Sequence, residues 1–145
     1  MHARARRWAA AVAGDRAFEA SSLAAAAVAV QGHDGPLLLA APDVPALDLE
    51  IARTALDDLA AGCDVAVGSA HDARPYLVAV PDPDSPLLEL VMEGFFARGV
   101  LGTFADRGVT LGMLPAERRL VSAADARAFA LDPLTPPDLA ALLPR

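Results

Sequence analysis

Short apolar runs alternate along this chain with amphipathic stretches. Continuous apolar runs at residues 36–41, 63–69, 76–81 and 109–114 have the length and enrichment of buried strands. Between them the polar residues fall at helical spacing. Residues 49–61 place Leu49, Ala52, Leu56 and Leu59 on one face, with Asp48 as N-cap and Gly62 just beyond the C-terminus. Residues 3–13 and 22–31 read as two leading helices. The second is apolar nearly all round and is expected to be largely buried, capped by Ser21 or Ser22 and ended at Gly32. Two short helices, 87–96 and 99–107, precede the last strand. Ser122 with Asp125, and Thr135 with Asp138, are spaced as capping boxes for two closing helices, the second with Pro at its first turn. The order strand, helix, strand, tight turn, strand, helices, strand, helix predicts a three-layer α/β/α domain with a mostly parallel, Rossmann-like sheet. It divides into N-terminal helices (1–35), an α/β core (36–131) and a C-terminal helix (132–145).

At 145 residues the chain suits one domain that buries roughly two-thirds of its unfolded surface. All twelve basic side chains are Arg, and the formal net charge is −7. Nucleic acid is therefore not an expected partner, since phosphate binding needs a basic face. The single cysteine, Cys63, excludes an intrachain disulfide and is expected to open a buried strand. No apolar tract reaches the ~18 residues of a membrane span, and the basic, alanine-rich start reads as a helix, not a signal peptide. A cytoplasmic protein is the expectation.

Chemistry concentrates near the strand ends. Asp43 follows the run 36–41, where α/β enzymes keep metal ligands and where loops keep turn residues. His71 and Asp72 form a potential base and carboxylate, and Arg74 a potential anion contact. No pair of His residues has metal-ligand spacing, and no nucleophile elbow is present. Arg118–Arg119 reads as a solvent-facing charge pair, Phe95–Phe96 as core, and Trp8 as an interface anchor.

Asp43, Pro45, Leu47 and Asp48 match the order Asp-x-Pro-x-Leu-Thr, with Asp48 in the Thr position. Asp64, Val65, Val67 and Gly68 match Ala-Asp-x-Val-Leu-Gly-Pro; Asp72 and Tyr76 match Asp-Gly-Gly-Tyr-Tyr; Gly108–Leu111 matches Gly-Leu-x-Val. In this order of motifs, over about residues 20–130, the chain resembles the bacterial radical-SAM-associated glycosyltransferase-like family. That family belongs to the GT-A-type nucleotide-diphospho-sugar transferase superfamily. The resemblance implies a GT-A-type fold, a metal role for Asp43 and a ligand-facing Asp72 and Tyr76. The departures are equally specific. The nucleotide-holding first strand and its phosphate loop have no counterpart. Ala73–Arg74 replace the glycine pair, and Leu120–Ala123 stand where the family has Asp-x-Asp-Thr.

Two functions follow as expectations. One is a truncated, catalytically inactive relative acting as a binding or structural protein, with no cofactor. The other is an active glycosyl- or nucleotidyltransferase, which would need Mg²⁺ or Mn²⁺ at Asp43 to neutralise a diphosphate leaving group. A missing strand would leave an unpaired sheet edge, so a homodimer is expected.

Overall fold

The computed structural model describes residues 2–94 and 99–143. Strands β1 (Leu37–Ala40), β2 (Val65–Ser69), β3 (Pro75–Val80) and β4 (Leu111–Met113) form one sheet in the order β1-β3-β2-β4. Helices α1 (His2–Ala13), α2 (Leu23–Ala29), α3 (Leu49–Ala60), α4 (Leu88–Gly94), α5 (Val100–Asp106), α6 (Ala123–Leu131) and α7 (Pro137–Ala140) complete it. The fold is thus α/β, as the alternation of runs predicts.

Three strands, β1, β2 and β4, run one way and β3 runs against them. The pairing is therefore mixed: β1 with β3 and β2 with β3 are antiparallel, and β2 with β4 is parallel. The reason is local. Only five residues separate β2 from β3, too few for a crossover, so the connection is a hairpin. Its loop is closed by Ala73 N–H donating to Ala70 C=O (2.8 Å) and Ala70 N–H to Arg74 C=O (2.7 Å). Ala73 has φ +64°, the left-handed conformation that glycine takes at this point of a three-residue hairpin.

β3 is buried at every position and β2 at all but Ser69, so both faces of the sheet centre are covered. α3 packs on β2, β3 and β4, and α4 packs on β3. Asp48 caps α3 by accepting from Ile51 N–H (2.8 Å), and Gly62 follows its end at φ +100°. The buried stripe of α3 is Ile51, Ala52 and Ala55, rotated from the expected one; Leu49 is half exposed. Ser122 and Asp125 form the capping box of α6.

Several expectations are corrected. Trp8 is not an interface anchor: it is buried within the chain, and its Nε1–H donates to Asp48 C=O (2.6 Å). Arg4 fastens the same helix by donating to Pro45 C=O (2.9 Å) and pairing with Asp138 (2.8 Å). α2 is not largely buried. Among the described side chains Ala26, at its middle, and Val30, just past its end, are inside; Ala24, Ala25, Val28 and Ala29 face out. A seven-residue helix cannot wrap its whole circumference in a chain that offers it only one wall. Cys63 lies half-buried before β2 instead of opening it. Thr135 does not cap α7; its hydroxyl donates to Phe129 C=O (2.6 Å), and Pro136 is the N-cap. Phe95 and Phe96 lie outside the described residues.

Candidate functional site

Because β1, β2 and β4 share one direction, their carboxyl ends meet at one end of the sheet. Asp43 follows β1, the His71–Arg74 hairpin follows β2, and the segment 115–121 follows β4. This is the end at which open α/β sheets place ligands.

Asp43 stands where the sequence puts it, and its carboxylate is already occupied. Arg119 reaches it with two nitrogens: Nε at 3.1 and 3.0 Å from the two oxygens, and Nη2 at 2.6 Å from Oδ2. Side-chain exposures of 10% for Arg119 and 21% for Asp43 make this a largely desolvated, bidentate pair. Leu120 N–H also donates to Asp43 C=O (2.7 Å), so side chain and main chain both fasten this segment to residue 43. The solvent-facing reading of Arg119 is thereby corrected; Arg118 is the exposed member of the pair.

A shallow groove of about 210 Å³ opens beside this pair, lined by His71, Asp72, Arg118, Arg119, Val121 and Asp125. Asp72 faces it, whereas Asp43 meets it only through Arg119. Asp72 is partly committed too, since its Oδ1 accepts from Arg74 N–H (3.1 Å) in an Asx turn. Asp72 and Arg74 are 3.8 Å apart, and Arg118 and Asp125 3.9 Å, both loose, partly exposed pairs. Asp125 is held below the usual carboxylate range, first by the Ser122 hydroxyl and then by main-chain donors and Arg118.

Glu117 adds an acid that the motifs do not flag. Its main chain joins the hairpin, with His71 N–H donating to Glu117 C=O (3.0 Å). Partial burial pushes its carboxyl upward, with Asp48 adding to the effect and His71 opposing it. Tyr76 is not presented to the groove. It is fully buried, its hydroxyl donates to Pro115 C=O (2.9 Å), and burial foremost pushes its phenol upward. Gly68 exists for this ring: a β-carbon there would collide with Tyr76. The matched residues Gly68 and Tyr76 are thus one packing unit. Ser69 Oγ, Arg74 Nε and Arg119 Nη1 are buried without a hydrogen-bond partner among the described residues, all at this end of the sheet. No group of three or more His, Cys, Asp or Glu side chains suited to a metal occurs among the described residues.

Sequence comparison finds no matching protein family and no matching curated relative. By structure, the chain is similar to a protein from Desulfovibrio desulfuricans G20 provisionally described as a nucleotide-diphospho-sugar transferase. The TM-score is 0.57 at 21% identity, over 79% of this chain. The fold is therefore of the nucleotide-diphospho-sugar transferase type. The match takes in 52% of that protein, so this chain spans about half the length of its neighbour.

Sequence reasoning named Asp43, His71 and Asp72, which lie at this end of the sheet, and did not name Arg119, Glu117 and Asp125 as their neighbours. One signal was available: Arg119 directly precedes Leu120–Ala123, the segment set against the Asp-x-Asp-Thr motif by the resemblance.

Proposed function

We propose that this chain is a catalytically inactive relative of the nucleotide-diphospho-sugar transferases that serves as a binding or structural protein. One observation carries the reading: both oxygens of Asp43 lie in the fork of Arg119. A divalent cation wants those same oxygens, and the guanidinium brings its own positive charge to the place the ion would take. A carboxylate to which the resemblance gives a metal role here ties the end of β1 to the loop after β4. The order of motifs resembles the radical-SAM-associated family, and a bacterial cytoplasm goes with that reading. The rival activity, metal-dependent glycosyl or nucleotidyl transfer, requires Asp43 to exchange Arg119 for the ion.

Calorimetric titration with Mn²⁺ and a panel of nucleotide sugars tests the proposal. The expected outcome is binding weaker than roughly 1 mM, about −4 kcal/mol. Micromolar binding that Asp43→Ala abolishes, in a variant with unchanged circular dichroism, restores the transferase.

A further inference from the structure

Among the described residues β1 is an edge strand, with β3 on one side and no strand on the other. Ala41 N–H donates to Tyr76 C=O (2.8 Å). By the alternation of an antiparallel ladder, Leu39 and Leu37 also direct their main-chain groups at β3. Leu38 and Ala40 direct theirs away from it. No hydrogen bond among the described residues reaches those outward groups. No charged residue occurs from Gly35 to Pro42 and no bulge twists the strand away; what limits the edge is its four-residue length, its flanking Pro36 and Pro42 and the helices beside it.

Along it runs a cleft of about 720 Å³, walled by α1, α2 and β1. Trp8, Val12, Phe18, Val30 and Leu39 are among its lining. Phe18 remains 45% exposed, and Val28 on the outer face of α2 is 68% exposed. An apolar small molecule could fill this space but would leave the outward N–H and C=O groups of Leu38 and Ala40 unpaired. Another extended backbone satisfies both demands.

We infer that β1 is the pairing edge of a homodimer, joined antiparallel to β1 of a second copy with Leu39 on the two-fold axis. The edge is self-complementary. Its outward residues, Leu38 and Ala40, stand symmetrically about Leu39, so a two-fold there sets Leu38 of each copy opposite Ala40 of the other. Each such pair exchanges both of its main-chain hydrogen bonds. From Gly35 to Pro42 the edge itself carries no charge, so no like charges face each other along the paired strands; Arg6, Arg16, Glu19 and Asp34 line the cleft beside it. The inference stands apart from the proposed function, because it involves neither Asp43 nor the groove.

Light scattering after size exclusion, over a micromolar concentration series, is expected to give twice the 14.9 kDa of one chain. Residue-resolved amide exchange should slow with concentration at Leu38 and Ala40 and stay constant at Leu37 and Leu39, which already bond to β3. Ala40→Pro removes an outward donor while sparing the β3 ladder. Phe18→Glu, at a half-exposed position lining the same cleft, tests the same junction where the proline disturbs folding. Either is expected to weaken the dimer by roughly tenfold or more. A single-chain mass throughout overturns the inference; protection at Leu38 and Ala40 that persists on dilution then shows the N-terminal helices covering the edge. A monomer whose edge is protected only by an added apolar peptide assigns the cleft to a foreign strand instead. A dimer indifferent to both variants places the contact elsewhere and equally overturns it.

Discussion

The two ends of the first strand face opposite circumstances. At its carboxyl end Asp43 is bound by a two-pronged guanidinium and a main-chain donor, and the hairpin and the loop after β4 are laced to each other. Along its open edge Leu38 and Ala40 have main-chain groups without partners, beside a helix whose apolar face looks outward. The first region has the residue types of an active site and the bonding of a structural joint. The second has no reactive residue and an unfilled bonding capacity. Residue types alone do not separate the two regions: among the described residues, the first keeps three unpartnered side-chain atoms inside a closed network, and the second leaves main-chain groups open along an edge.

The largest expected effect lies at the closed end. Arg119→Ala leaves a mostly buried carboxylate without its counter-charge and should cost about 3 kcal/mol in urea unfolding. Joint replacement by Asp43→Leu and Arg119→Met should recover most of that loss. If Arg119→Ala instead costs nothing, the pair is no joint and Asp43 is free for other ligands, which breaks the contrast.

A smaller gain is expected in the hairpin. Ala73 sits at φ +64°, so Ala73→Gly should relieve left-handed strain of about 1–2 kcal/mol while adding unfolded-state entropy of about 0.4–1. The net expectation is a stabilisation of up to about 1 kcal/mol, read from the denaturation midpoint. A loss would mean that Ala73 does not hold the glycine conformation in solution.

Smaller still is the effect of Glu117, whose carboxyl is raised in the fold mainly by burial. A raised folded value means that the protonated acid is the better-accommodated form. Its contribution is fully present below the ordinary carboxylate range and is lost as pH rises through the raised value. Glu117→Gln should therefore stabilise at neutral pH by less than about 1 kcal/mol, because the group is only partly buried. The advantage should vanish on acidification. An advantage that grows toward acid would reverse the assignment. Least of all, Val28→Ser on the open side should change monomer stability by no more than about 0.5 kcal/mol. A larger loss would show that α2 already packs on its own chain.

Much of the architecture was legible before any coordinates. The four apolar runs became the four strands, three of them shortened and the third shifted by one residue, and Asp48, Ser22 and Ser122 cap the helices assigned to them. These features depend on neighbours a few residues away, so local spacing determines them. The β2–β3 hairpin, too, was written in its short connection. Three things were decided only by the tertiary structure. The partner of Asp43 lies 76 residues away, and no periodicity reports a contact at that separation. Trp8 was a plausible surface anchor until α1 packed against α3 and its indole found the Asp48 carbonyl. The outward face of α2 has the same alanines and valines whether covered or bare. Composition sets what a helix can bury, and only the arrangement of the other elements sets how much of it they reach.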